Sequence, residues 1–207
     1  VNGCETRLQW PYYYLNNNHQ TIFDIFSDLE YEMYSIADQS RIDVGMFPRN
    51  ISKDIKILNK LDHLNKYKND ILSEKNSFLF VDFPDYHYAV DDYSGLNCSH
   101  DHGAKKLKKS FDNLFSIIPD SAFDHIFIFS DHGFKMIGDK NSDEPTLLPF
   151  DNRSKIMMFH HKKNDKNIET VENLTSILDL YPTLQEVINS EDCKTDGISL
   201  LRMKENR

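Results

Sequence analysis

The sequence predicts an α/β fold in which helices cover both faces of a largely parallel sheet, a three-layer αβα sandwich. Two observations support this class. Short apolar runs rich in β-branched and aromatic residues alternate with segments of helical periodicity, as in parallel sheets with crossover helices. One of these runs, residues 126–129, ends abruptly at two polar side chains, Asp131 and His132. Ligand sites in open α/β sheets lie beyond such carboxyl ends of strands.

Length and composition limit the classes of protein that this chain can represent. The 207 residues are enough for one sizeable core, and we expect a single domain over residues 1–207. The net charge of −9 argues against a nucleic-acid-binding surface, which needs clustered Lys and Arg. No apolar run reaches the roughly 18–20 residues that cross a bilayer. The compartment stays open, because the Asn-x-Ser/Thr sequons at Asn50, Asn97, Asn152 and Asn173 matter only in a secreted protein.

The first half of the chain contains two helical patterns and two strand patterns. Apolar residues at helical spacing, such as Ile22, Phe23 and Phe26, indicate the first helix. Ser52 is a suitable N-cap for the second helix, and Pro84 ends the second strand. The predicted elements are an irregular segment over residues 1–18, a helix over 20–29, a strand over 34–37, a loop over 40–51, a helix over 52–68 and a strand over 78–83.

The second half continues the alternation. Leu107, Phe111 and Leu114 predict the buried face of a helix. Pro182 predicts a kink or a break in the last helix. The predicted elements are a long polar loop over residues 84–101, a helix over 103–118, a strand over 126–129, a second polar loop over 134–152, a strand over 156–159 and a helical segment over 172–188.

Asp131 and His132 are the leading candidates for metal ligands. A carboxylate oxygen and an imidazole nitrogen suit a borderline divalent ion such as Zn²⁺ or Mn²⁺. Neighbouring side chains on an extended strand point to opposite sides. Both can reach one ion only where the strand has ended, and Gly133 allows the backbone to turn there. The alternative is that Asp131 caps the following turn while His132 hydrogen-bonds within a loop.

Four segments resemble, in order and spacing, motifs of the alkaline phosphatase/sulfatase superfamily over roughly residues 20–201. They are residues 21–26 with 29–31, residues 80–87, the Ser-Asp-His-Gly of residues 130–133, and residues 178–184 with 196–201. The resemblance implies an alkaline phosphatase-like sandwich in which Asp131 and His132 hold one divalent ion, Zn²⁺, Mn²⁺, Ca²⁺ or Mg²⁺. It also implies an activated nucleophile that attacks a sulfate or phosphate ester of a small molecule, glycan or lipid.

The resemblance assigns further roles by position. His87 would donate to the oxyanion of the substrate, and the alternative is a surface histidine in a loop. Asp85 could orient His87 or bind metal, or it could be a solvated residue of the turn after Pro84. Asp179 would have a structural role. Because the pair is Asp-His rather than the Asp-Asn more usual in sulfatases, phosphoester chemistry is slightly favoured.

The nucleophile is the main departure from the superfamily pattern. It normally precedes the segment that corresponds to residues 21–23, and here Thr6 and Cys4 are only weak candidates. We therefore expect the chain to hold the later part of a larger catalytic domain. The alternative is a catalytically inactive relative that binds an anionic glycan or a protein partner.

Two other histidine clusters have simpler interpretations. Asp101-His102-Gly103 repeats the Asp-His-Gly tripeptide, and His100 or His102 could bind a second metal ion. No strand precedes this cluster, however, and Asp101 as the N-cap of a helix explains much of it. His160 and His161 end a predicted strand and are expected at a sheet edge near the surface.

Overall fold

The computed structural model describes residues 21–37, 54–73, 75–90, 99–133, 154–168, 170, 174–189 and 195–202, with the backbone alone at 4–6, 13–15 and 90. Contacts within the chain group it into two compact units. The first contains Val1–Lys60, Asn69–Val81 and Asn167–Arg207, and the second contains Leu61–Lys68 and Asp82–Lys166. The mixed α/β class is confirmed.

The described helices and strands alternate along much of the chain. They are β1 (Cys4–Thr6), β2 (Tyr13–Leu15), α1 (Ile22–Asp28), β3 (Glu32–Ile36), β4 (Ile55–Leu58), α2 (Lys68–Ile71), β5 (Ser77–Val81), α3 (Asp85–Val90), α4 (His100–Ile117), β6 (His125–Phe129), β7 (Met158–Lys162) and α5 (Leu180–Val187). Short 3-10 helices cover Leu61–Lys66, Asp120–Ala122, Ile177–Asp179 and Leu200–Arg202.

The first unit is built on a three-stranded parallel sheet in the order β4-β3-β5. The central strand, β3, is buried from Met33 to Ile36, because it has a neighbour on each edge. Lys56 of β4 bonds Glu32 of β3 at 2.6 Å and the Tyr34 hydroxyl at 3.3 Å. Both side chains are more than a third exposed, so this ion pair contributes little to stability. Its main effect is on the register between β3 and β4.

Helix α1 packs on this sheet through aromatic side chains. Phe26 stacks on Phe78 of β5 at 3.9 Å between ring centroids, and Phe23 meets Phe78 and Phe80 edge to face at 5.9 and 5.7 Å. Phe78 and Phe80 share one face of β5 because strand side chains alternate. A capping box between Thr21 and Asp24 begins the helix.

The last segment of the first unit is tied to α5 by a buried carboxylate and a buried hydroxyl. Asp179 accepts hydrogen bonds from the backbone N–H groups of Ser176 and Ile198, both at 2.8 Å. The Thr183 hydroxyl donates to the Asp179 carbonyl at 2.6 Å and accepts from the Leu200 N–H at 2.8 Å. Residues 198–200 are thereby held against α5, which gives Asp179 a structural role.

The second unit contains α3, α4 and the β6–β7 pair. Phe83, just before α3, meets Phe111 of α4 edge to face at 5.0 Å. Leu114, Ile117 and Ile118 are buried at the end of α4. Strand β6 pairs with β7 in antiparallel register, with Phe127 opposite His160. All five residues of β6 are half-buried.

Several elements differ from the sequence prediction. Residues 55–58 form a strand, although Ile55 and Leu58 also fit a helix, because pairing with β3 decides between the two periods. Residues 85–90 form a helix rather than a loop. Pro182 causes no break, because it lies in the first turn of α5, where its missing N–H has no intrahelical role. Residues 4–6 and 13–15 form an antiparallel strand pair within a segment predicted to be irregular.

Candidate functional site

Strand β6 delivers Asp131 and His132 to the end of the β6–β7 ladder. Ser130 continues the pairing by one step: its N–H donates to the Met157 carbonyl, and its hydroxyl accepts from the Met157 N–H, both at 3.0 Å. The backbone leaves strand geometry at residue 131. Asp131 and His132 therefore follow directly from a position that is fixed by two hydrogen bonds.

The side chains of Asp131 and His132 approach each other closely. Asp131 Oδ2 lies 3.6 Å from His132 Nε2. The carboxylate is largely exposed, with 82% of the side-chain surface accessible, and the imidazole is about one-third exposed at 35%. The pair is therefore exposed to solvent mainly through the Asp131 carboxylate.

Local hydrogen bonds fix which atoms remain available. His132 Nδ1 lies 2.7 Å from the Gly133 carbonyl, which can only accept, so Nδ1 carries the proton and the neutral ring has its lone pair on Nε2. The His132 N–H donates to Asp131 Oδ1 at 3.0 Å, which leaves Oδ2 toward the ring. The alternative in which Asp131 caps the turn and His132 hydrogen-bonds within the loop is therefore also satisfied. These bonds use Oδ1 of Asp131 and Nδ1 of His132, and not Oδ2 and Nε2.

This donor pair fits a divalent cation in chemistry and in spacing. Two ligands of a tetrahedral Zn²⁺ with bonds of about 2.1 Å lie about 3.4 Å apart, close to the 3.6 Å between Oδ2 and Nε2. A ring N–H bonded to a backbone carbonyl is the usual orienting partner of a ligating histidine. Within the described residues, no three His, Cys, Asp or Glu side chains form a group that could hold a metal. Asp131 and His132 would supply two ligands of such an ion.

His87 lies on helix α3 and not on the predicted loop. The Tyr88 N–H bonds the Pro84 carbonyl at 2.9 Å, so Pro84 occupies the start of the helix, where proline is well tolerated. Asp85 lies in the first turn, where a carboxylate complements the helix dipole. The His87 ring is half-buried and meets Tyr88 edge to face at 6.0 Å. His87 does not join Asp131 and His132 in a three-ligand group among the described residues.

Thr6, the weak nucleophile candidate, ends strand β1, opposite Tyr13 in the register. The hairpin belongs to the first unit, whereas Asp131 and His132 belong to the second. The nucleophilic role of Thr6 stays a prediction.

The second Asp-His-Gly tripeptide lies in the first turns of α4. Its N-cap is Ser99 and not Asp101 as predicted: the Ser99 hydroxyl accepts from the His102 N–H at 3.1 Å. Ser99 is the last extended residue, so its side chain reaches back to the free N–H groups, while Asp101 is already helical. His100 hydrogen-bonds the Tyr86 hydroxyl through Nδ1 and stacks on that ring at 6.2 Å, which links α3 and α4.

The sequence did not reveal a histidine pair on the β6–β7 ladder. His125 Nδ1 lies 2.9 Å from His160 Nε2, and the His160 ring stacks on Phe127 at 4.4 Å. Burial lowers the pKa of both imidazoles. Only the strand register brings His125 and His160 together, because the residues between β6 and β7 are too many for a turn to set it.

Comparisons with known protein families, with curated proteins and with solved structures found no match for this chain. Its function therefore has to be argued from its own residues. None of the helices in the described part of the chain is long and apolar enough to span a lipid bilayer.

Proposed function

We propose that this chain contributes the metal site of a metal-dependent hydrolase or transferase of the alkaline phosphatase/sulfatase type, acting on phosphate or sulfate esters. The observation that carries the proposal is the approach of Asp131 Oδ2 to His132 Nε2 at 3.6 Å. The local hydrogen bonds use Asp131 Oδ1 and His132 Nδ1 and not these two atoms. Together they are a two-point chelate at the end of a strand.

The proposed chemistry needs a cation and groups that bind the ester. Held by Asp131 and His132, one divalent ion, with Zn²⁺ or Mn²⁺ favoured over Ca²⁺ or Mg²⁺ by the nitrogen ligand, would neutralise ester oxygens and activate a nucleophile. The imidazole of His87, on α3 of the same unit, would donate to a non-bridging oxygen. The nucleophile would come from a segment that precedes residue 21, and Thr6 is the weak candidate here.

The hydrogen bonds of the last segment support the superfamily proposal independently of the metal site. Asp179, the N-cap of α5, and Thr183 within α5 bind the backbone of residues 198 and 200. Two motifs that were recognised separately in the sequence are thus one hydrogen-bonded structure. Because of these hydrogen bonds, each of the two late segments helps to hold the other in place.

We also propose that the parallel sheet β4-β3-β5 is part of a three-layer αβα sandwich. The parallel order and the packing of α1 on β5 support it, since parallel sheets are almost always covered on both faces. The Asp-His pair favours phosphoesters over sulfate esters.

Metal binding tests the proposal directly. Isothermal titration of the purified chain with Zn²⁺ and Mn²⁺ should give one site, and Asp131→Asn or His132→Gln should each weaken its affinity at least about tenfold, or about 1.4 kcal/mol. The matched control is the double variant Asp101→Asn/His102→Gln, which alters the same tripeptide on α4. Equal affinity in the Asp131, His132 and control variants contradicts the proposal.

Ester cleavage separates the two functional alternatives. We expect the protein that contains this chain to hydrolyse aryl phosphates or phosphodiesters, and to lose that activity with a chelator and in Asp131→Asn. Metal binding without cleavage of phosphate or sulfate esters favours the inactive relative that binds an anionic glycan or a protein partner.

A further inference from the structure

His125 and His160 meet edge to edge across the β6–β7 ladder. The two nitrogens are 2.9 Å apart, the ring planes differ by 2° and the ring centroids are 5.2 Å apart. A ring nitrogen lies about 1.2 Å from the centroid of its own ring, so these distances require both nitrogens to lie nearly on the line between the centroids. The geometry is that of a straight N–H···N hydrogen bond.

Neighbouring residues partly bury this hydrogen bond and influence the pKa values of its two rings. The His160 ring stacks on Phe127 at 4.4 Å and a 6° interplanar angle, and both histidines are half-buried. Lys162 lies opposite His125 in the register. The charged and titratable groups that act on the pair are Lys162 and His161 of β7, Asp124 before β6, and Asp165 after β7.

The number of protons on the pair decides whether the bond exists. Two neutral rings share one N–H, with the lone pair of the partner as acceptor. One added proton goes to an outer nitrogen and leaves the bond in place as a charge-assisted bond. A second added proton puts N–H groups on both facing nitrogens, which removes the acceptor and sets two positive charges against each other.

We propose that His125 and His160 form a proton-operated latch on the β6–β7 ladder, closed with up to one added proton and opened by the second. Opening would loosen the ladder that also holds Ser130 and Met157, and hence the backbone that leads to Asp131. The latch is therefore a site of pH control, and it stands whether or not a metal binds at Asp131.

Burial and the net effect of the neighbouring charges lower the pKa values of both rings and so favour the closed state near neutral pH. Burial is the main cause that lowers the pKa of His125, with Lys162 adding to it and Asp124 opposing it. Burial also lowers the pKa of His160, followed by the charges of His125, His161 and Lys162, while Asp165 raises it. The second proton must enter against all the positive groups.

Imidazole NMR on the unaltered protein tests the latch first. We expect His125 and His160 to take up protons in two steps separated by at least about one pH unit, because sites in contact titrate as a pair. The backbone amides of β6 should lose hydrogen-exchange protection, corrected for intrinsic exchange, by about fivefold at the second step only, the size of one hydrogen bond. A single common step, or protection lost at the first step, overturns the latch.

Matched variants locate the effect. His160→Gln keeps a hydrogen-bonding side chain but cannot titrate at this position, so its β6 protection should change by less than about twofold over the pH range that spans both steps in the unaltered protein. His161→Gln, on the opposite face of β7, should retain the fivefold loss. A fivefold loss in His160→Gln would overturn the proposal. If that variant does not fold, the two-step titration of the unaltered protein decides alone.

Discussion

The tripeptide Asp-His-Gly occurs twice in this chain, and its two copies behave differently because of what precedes them. After β6 the backbone is leaving a strand, and Asp131 Oδ2 comes within 3.6 Å of His132 Nε2. On α4, adjacent side chains lie about 100° apart around the helix axis, and the His102 N–H is used by the Ser99 cap. The residue types identify candidate ligands, but the backbone geometry determines whether two of them can bind the same ion.

At the residue scale the sequence identified Asp131 and His132 as candidate metal ligands, but it did not indicate the tautomer of His132. An apolar run that stops at polar residues is visible in the sequence. The tautomer of His132 depends on the Gly133 carbonyl, a contact between backbone and ring that no pattern encodes. His87 was placed on a loop because a six-residue helix after Pro84 is too short to give a periodic signal.

Ser35 offers a prediction about a buried hydroxyl. It is fully buried on β3 between Ile57 and Phe80, and its Oγ has no hydrogen-bond partner among the described residues. Ser35→Ala should raise the free energy of unfolding by about 1 kcal/mol, because it removes an unsatisfied polar atom at almost constant volume. Urea denaturation measures the change, and a lower free energy of unfolding would show that the hydroxyl is bonded.

Thr183 provides the opposite case in the same unit. Its hydroxyl, also fully buried, makes two hydrogen bonds, to the Asp179 carbonyl and from the Leu200 N–H. Thr183→Val keeps the shape, removes both hydrogen bonds and leaves the Leu200 N–H without this acceptor, so it should lower the free energy of unfolding by about 1–3 kcal/mol. Thr183→Ser, which keeps the hydroxyl, should recover most of the loss in the same urea titration. Equal losses in both variants would mean that packing, not bonding, matters here.

At the scale of elements, periodicity located most helices and strands and failed where two periods coincide. The helices α1 and α4 and the strands β3, β5 and β6 lie within a few residues of their predicted positions. Residues 55–58 were assigned to a helix because apolar residues three apart fit either structure. Only the partner strand, which a sequence does not specify, resolves that ambiguity.

Gly197 tests the contact between the last segment and the turn before α5. A Cβ at this position would lie 2.1 Å from the Leu178 carbonyl oxygen and 2.9 Å from the Asp179 N, both backbone atoms that cannot rotate away. Gly197→Ala should therefore lower the free energy of unfolding by about 3 kcal/mol, the upper end of overpacking costs. The exposed neighbour substitution Asp196→Ala should stay within about 0.5 kcal/mol. Comparable denaturation midpoints for the two variants would contradict this close approach.

At the scale of the whole molecule, the sequence predicted the α/β class and a parallel sheet, which β4-β3-β5 confirms. It did not predict the antiparallel pairing of β6 with β7, because the register of distant strands depends on packing rather than on local pattern. The His125–His160 pair was missed for the same reason. The three-layer arrangement stays a proposal.

The pH dependence of stability is a property of the molecule as a whole and follows from two directions of pKa shift. His125 and His160 have pKa values below their ordinary 6.5, so below about pH 6.5 the unfolded chain binds protons that the folded chain refuses. Hydrogen bonding and charge from Lys56 lower the pKa of Glu32 from its ordinary 4.5, which gives a further loss below that pH. The free energy of unfolding should fall on acidification in these two windows.

Urea titrations at a series of pH values measure both losses. The double variant His125→Gln/His160→Gln should remove the loss that begins near pH 6.5 and keep the one near 4.5, and Glu32→Gln should do the reverse. A free energy of unfolding that rises between about pH 7 and 5 in the unaltered protein contradicts the assigned shifts.

Anomalous diffraction from zinc-soaked crystals is the most direct measurement of the central claim, that Asp131 and His132 share one cation. The account predicts a zinc peak about 2.0–2.2 Å from Asp131 Oδ2 and about 2.0–2.1 Å from His132 Nε2. Zinc bound elsewhere, with Oδ2 and Nε2 both outside coordination distance of any ion, would contradict it.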